Sequence, residues 1–160
     1  VDAIKRAKFA EQNANEVERR GIAEAKKKES KKIIRKHGNY KGDFDDHKSG
    51  HGVYCEDKPS DGNPDRFQSI GRYEKGNETG LCVLYYKDDV ETTFRGEVYE
   101  GNRHGYGTLT WKENNKEYRH EGLWEDNCRH GYGLRIEGSS RSFGLFESNE
   151  AVGTHVTWDS

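Results

Sequence analysis

Histidines, cysteines and a recurring Gly-x-Gly are the features of this 160-residue chain that could carry chemistry. Imidazoles and thiolates bind transition metals and move protons. His104 and His130 each stand just before Gly-Tyr-Gly, 26 residues apart, and His51 and His155 fall near the same pattern. A slot that recurs argues for structure, because a catalytic residue seldom repeats, and no Cys-x-x-Cys or His-x-x-x-His spacing favours a metal. Cys55, Cys82 and Cys128 are odd in number and far apart, so a disulfide framework is disfavoured and a reducing compartment is the default. Cys82 takes a Gly-x-Gly position and is expected to be a small buried side chain. Cys128 falls in a predicted turn without a fixed base partner. Gly-His-Gly and Gly-Tyr-Gly resemble phosphate loops in composition only. No strand-loop-helix context surrounds them, and no Lys-Ser/Thr follows. No Ser-His-Asp or paired-carboxylate set stands apart from the repeat, so the expectation is a chain without catalysis, cofactor or metal.

The elements that must position these residues fall into two regions of opposite charge. Residues 1–37 carry 12 Lys+Arg against 6 Asp+Glu, an excess of +6, and residues 38–160 carry 15 against 23, an excess of −8. The first region is rich in Ala, Glu, Lys and Arg, the best helix formers. Asp2/Arg6, Glu16/Arg20 and Glu24/Lys28 are i,i+4 pairs in the better orientation. Ala3, Ala7, Ala10, Ala14 and Val17 form a narrow seam. One long helix is predicted over 2–36, ended by His37-Gly38. Its seam of small residues buries little area, so the helix is expected to lie on another protein. No run approaches the ~18 apolar residues of a membrane span. A chain opening Val1-Asp2 is expected to be cut from a longer protein or processed at its N-terminus.

After residue 38 the chain repeats. Seventeen of its 18 aromatics and 18 of its 19 glycines lie beyond residue 37. The clearest unit runs Phe94-Arg-Gly96-Glu-Val98-Tyr-Glu-Gly101-Asn-Arg-His104-Gly105-Tyr-Gly107, and a second runs from Gly122 to Ile136. The leading Gly of each unit stands at 42, 71, 96, 122 and 144. A second Gly follows nine residues later in four units and eight later in the first. Two positions after the leading Gly comes Phe44, Tyr73, Val98, Trp124 or Phe146, which is strand period. Gly76, Gly101, Asn127 or Asn149 then marks a turn needing positive φ. Each unit therefore reads as a β-hairpin. Rings on one strand need open slots on the next, and glycine provides them, so a chain poor in aliphatics can still build a one-face core.

These residues resemble the MORN repeat (membrane occupation and recognition nexus), whose pattern is Tyr-x-Gly-x-Trp-x-x-Gly followed by Gly-x-Gly. The resemblance covers 40–158, roughly three quarters of the chain. Val98 replaces an aromatic, His47 stands near the turn-Gly slot of the first unit, and His155 replaces the last Gly of the fifth. The resemblance implies a mainly β fold: an elongated single-layer antiparallel sheet of stacked hairpins, with repeats starting near 40, 69, 94, 120 and 142, preceded by the helix. Residues 57–66 and 112–117 would bulge out as loops. Some relatives join the repeat to a lysine-methylating or phosphoinositide kinase domain, and neither signature is present.

The resemblance implies a non-catalytic scaffold among the protein subunits of a large cytoskeletal or ciliary (axonemal) assembly. The expected docking residues are Lys26, Lys27, Lys28, Lys31 and Lys32 on the helix, and Tyr73, Tyr99, Tyr106, Trp111, Trp124, Tyr132 and Trp158 on the sheet. The basic helix would meet an acidic surface such as a microtubule, with binding that weakens as salt rises. The alternative is a peripheral tether to anionic lipid, although only Phe9, Ile33 and Ile34 give the helix apolar bulk. An accessory subunit imported into an organelle is a further alternative to the cytoplasmic cytoskeleton or cilium. Nucleic acid is disfavoured, because glutamates interrupt the basic residues.

Overall fold

The computed structural model describes residues 2–27, 38–44, 48–56, 66–86 and 91–160. One helix, α1 (Asp2–Lys27), precedes ten strands: β1 (Gly38–Phe44), β2 (Lys48–Glu56), β3 (Arg66–Glu74), β4 (Asn77–Tyr86), β5 (Thr93–Tyr99), β6 (Asn102–Glu113), β7 (Lys116–Glu125), β8 (Cys128–Glu137), β9 (Ser140–Glu147) and β10 (Glu150–Asp159). The strands form one antiparallel sheet in chain order. The mainly β architecture is therefore as the repeat implies. The predicted helix over 28–36, its stop at His37, and the insert at 57–65 lie outside the described residues.

Turn chemistry follows the repeat. Lys75-Gly76, Glu100-Gly101, Asp126-Asn127 and Ser148-Asn149 all have positive φ, between 45° and 90°. Each pair joins its two strands as a two-residue loop. Two successive positive φ values match the right-handed strand twist. Residues 112–117 depart from expectation. They continue β6 and β7 and turn at Asn114-Asn115, with φ of 50° and 61°, while Glu113 pairs with Lys116. Asparagine tolerates that backbone, so a tight hairpin replaces the expected loop.

The helix also departs from expectation: it lies on its own sheet. Ala7, Ala10 and Ala14 are buried. A Cβ on Gly21 would stand 2.7 Å from Ile70 Cγ2 and 3.3 Å from the Gly52 carbonyl oxygen. Small residues let the helix axis approach the strands. They do not mark a weak contact. Ion pairs and hydrogen bonds follow the helix across the face. Arg6 lies over the Tyr106 ring at 5.4 Å, and Lys8 is 3.8 Å from Glu121. Glu11 accepts from Arg119 Nη1 at 3.0 Å, and Asn15 accepts from Arg95 at 2.9 Å. Glu18 accepts the Tyr85 hydroxyl. The helix thus runs from β7 at its N-terminal end to β2 near its C-terminal end. Burial, and then the bond to Glu18, pushes the Tyr85 hydroxyl up to about 12. Burial works against the Arg119 charge, but its bonds to Glu11 and Glu121 outweigh that and leave it above its ordinary value.

A substitution of Gly21 tests the close approach. Gly21→Leu is expected to cost about 2 kcal/mol by overpacking against Ile70. Amide exchange should quicken along α1 while β5–β8 stay protected. Unchanged protection in α1 would show that the helix does not rest there.

Candidate functional site

Strand alternation gives the sheet two different faces. On the face away from α1, rings sit on glycine backbone. A Cβ on Gly107 would be 2.4 Å from Phe94 Cζ, and one on Gly133 would be 2.6 Å from His120 Cε1. One on Gly144 would meet the His155 ring at 2.4 Å, and one on Gly71 would meet Cys82 Sγ at 2.5 Å. The rings then pack edge-on in a row. Phe94 meets Trp124 at 5.5 Å, Trp124 meets His120 at 5.4 Å, His120 meets Phe146 at 4.8 Å, and Phe146 meets His155 at 5.1 Å. Such pairs add to plain burial. Cys82, Leu84, Phe94, Val98 and Trp124 form the buried cluster of this face.

Arginine closes the row at the turn edge. Arg103 lies 4.5 Å over Trp124 of the next hairpin, and Arg129 lies 5.4 Å over Phe146 of the one after. The same arginines donate to the backbone carbonyls of Asn127 and Asn149, both at 2.8 Å. The asparagine side chains accept the arginine backbone N–H groups in return, both at 2.9 Å. Asn127 and Asn149 therefore do more than tolerate positive φ, because each links its turn to the preceding hairpin.

The sequence reading missed His120. It takes the place of Phe94, two residues before the leading Gly, so repeat register was the available signal. It is 1 % exposed, and among the described residues neither ring nitrogen has a hydrogen-bond partner. Burial first, then Arg129 and Arg135, pushes its pKa down to about 3. His104 and His130 instead face turn carboxylates, with Nδ1 3.5 Å from Asp126 and 3.4 Å from Glu125. His155 donates from Nε2 to the Leu145 carbonyl at 3.0 Å. Cys82 is buried as expected. Cys128 opens β8 beside its turn and is half-buried, and Cys128 and Cys55 are free thiols.

The expected docking residues divide. Tyr73 and Trp124 are 1 % and 2 % exposed, and both are corrected here to core residues. Ring positions two after the leading Gly face the glycine slots, which removes them from any surface. Tyr106 lies partly under α1, beneath Arg6. Trp111 stacks on Tyr118 at 5.1 Å. Tyr99, Tyr132 and Trp158 are exposed. Lys26 and Lys27 end α1, and Lys28, Lys31 and Lys32 lie outside the described residues.

An exposed apolar surface lies on the helix side, past the helix N-terminus. Register puts Leu134 beside Phe143, and Phe143 beside Val156. Tyr132 stacks on Phe143 at 5.7 Å. Tyr132, Val156 and Trp158 are 57 %, 62 % and 43 % exposed. An apolar strip thus crosses β8–β10 on the face that α1 covers elsewhere.

Residues 40–57, 94–116 and 120–136 match the family model described as the MORN repeat. No curated protein matches the chain.

Proposed function

We propose that this MORN-repeat chain is a non-catalytic scaffold whose strip on β8–β10 docks a protein partner within a large assembly. MORN repeats commonly serve as protein or membrane interaction modules. The observation that carries the reading is the exposed row Tyr132, Val156 and Trp158 around the half-buried Phe143, set beside the helix-covered part of the same face. Aromatic anchors in such a row are the usual hot spots of an interface. The shape favours a helix in the partner, since α1 already lies on the neighbouring strands. The hairpins from 69 and 142 lie outside the matched segments but keep the leading Gly and the ring two positions on, and they are counted as repeats, giving five in all. The setting proposed is a cytoskeletal or ciliary assembly, with an organellar complex as the alternative. The lysine run from Lys26 to Lys32 supports a second contact, with an acidic protein surface.

The docked helix changes how that anchor must be tested. Removing residues 1–37 would uncover a face of the sheet, so it reads folding rather than anchoring. Crosslinking of the native assembly, with mass spectrometry, is expected to place a protein subunit against β8–β10. The double variant Tyr132→Ala/Trp158→Ala should lower retention of that subunit about tenfold or more. Unchanged retention would remove the strip from the interface. Flotation with anionic vesicles tests the lipid alternative. Co-flotation at low salt, lost on Lys26→Glu/Lys27→Glu, would favour a membrane tether over the protein partner.

A further inference from the structure

We propose that the outer edge of β10 pairs with β1 of a second copy of this chain, joining copies head to tail into one continued sheet. The contact is separate from the strip on the sheet face and does not depend on the partner proposed for it. Its basis is an edge built for pairing and a register already used four times.

β10 and β1 are the two end strands of the sheet, each with one strand neighbour among the described residues. β10 spans ten residues and is largely exposed. Its interior, Ala151 to Trp158, holds no Lys, no Pro and no carboxylate, and is rich in Val and Thr. Natural sheet edges usually carry lysine, proline or inward charge that blocks further pairing. None of these protects β10, so its free backbone groups form a template for strand addition.

The register supplies the occupant. At each of the four junctions between hairpins, a glycine with positive φ lies opposite the apolar residue two after the next leading Gly. The pairs are Gly50 with Tyr73, Gly80 with Val98, Gly105 with Trp124, and Gly131 with Phe146. Two residues further on, Gly52, Cys82, Gly107 and Gly133 face the leading glycines Gly71, Gly96, Gly122 and Gly144. β10 repeats the first half of this device, with Gly153 at a φ of 67° and His155 two residues on. β1 carries the other half in its sequence, Tyr40-x-Gly42-x-Phe44. Pairing β10 with a second copy's β1 in the same register sets Gly153 against Phe44, His155 against Gly42, and Val156 against Lys41. His155 is larger than the glycines in its slot, yet it already sits on Gly144, and Gly42 would bring no side chain of its own against it. No like charges are opposed in this register.

The junction should be weaker than those inside the chain. Ala151 stands in the slot of Arg103 and Arg129, so the arginine clamp on the next turn is missing. The two surfaces differ, so the contact leaves a free β1 and a free β10 at the ends and does not close at a dimer.

The test uses the full chain. Sedimentation velocity should show association that passes beyond the dimer as concentration rises. The register is read with two single-cysteine additions, Lys41→Cys and Val156→Cys, mixed and oxidised. The mixture should give a disulfide between copies, and neither variant alone should give one above the native background. Moving the second cysteine by one residue, to Thr157→Cys, should return the yield to background, because a one-residue shift turns the side chain to the other face. A disulfide in Val156→Cys alone would mean that β10 pairs with β10, which overturns the proposal. So would a chain that stays monomeric up to millimolar concentration.

Discussion

Gly96→Ala is expected to be the most damaging small substitution in the sheet, costing about 3 kcal/mol or more. A Cβ there would stand 2.4 Å from Gly107 Cα and 2.6 Å from the Tyr106 carbonyl oxygen. Those atoms are backbone, so no side chain can swing aside, and β5 and β6 would have to separate. The natural comparison is Gly80→Ala or Gly153→Ala. Both glycines have positive φ, 69° and 67°, but an added Cβ meets nothing within 4 Å. Those variants carry only the left-handed backbone cost, about 1 kcal/mol. Urea midpoints should therefore rank Gly96→Ala well below either control. Equal midpoints would mean that glycine matters here for backbone conformation alone.

The second large effect is acid sensitivity centred on His120. Unfolded, its imidazole takes a proton near its ordinary pKa of about 6.5. Folded, burial and then Arg129 and Arg135 hold that pKa down to about 3. The folded state therefore keeps a neutral ring while the unfolded state becomes charged. The stabilising contribution is complete above about pH 6.5 and falls by about 1.4 kcal/mol per pH unit below it, until the ring protonates in place. His120→Phe removes the titrating group and restores the ring type that Phe94 has in the same slot. Its urea midpoint should fall less than that of the native chain between about pH 7 and pH 5. Parallel falls in the two proteins would mean that His120 is not the group responsible.

Much of this was legible in the spacing of glycine and aromatic residues. Leading Gly, ring two positions on, turn residue and Gly-x-Gly together define a hairpin and say which side chains share a face. The same geometry makes Tyr73 and Trp124 core, since a ring that fills a glycine slot leaves the surface, and the expectation of docking at these two residues overlooked it. His120 was readable by register but not by residue type, because an imidazole stands where the pattern has an aromatic. Asn114-Asn115 carried its own turn signal, hidden by reading 112–117 as an insert.

The docking of α1 was not legible. A seam of alanines reads as poor in buried area, and only the sheet beneath shows that small residues permit close approach. The pairing of Glu11 with Arg119 and of Glu18 with Arg95 joins residues far apart in the chain, and no local pattern announces it. The exposed strip on β8–β10 emerges only once the extent of the helix is known.

A double-mutant cycle between Gly107 and Phe94 tests the seating of rings on glycine most directly. A Cβ on Gly107 would press on Phe94 Cζ at 2.4 Å and Cε2 at 2.6 Å. Gly107→Ala should therefore be costly in the native chain and much less so once Phe94→Leu has shortened the side chain, which leaves the Arg95 carbonyl oxygen at 3.1 Å as the remaining close neighbour. The two losses should fall short of adding by about 1 kcal/mol or more, within the range of contacting pairs. Strictly additive losses would contradict the account, since they would mean that the ring and the bare backbone beneath it do not depend on each other.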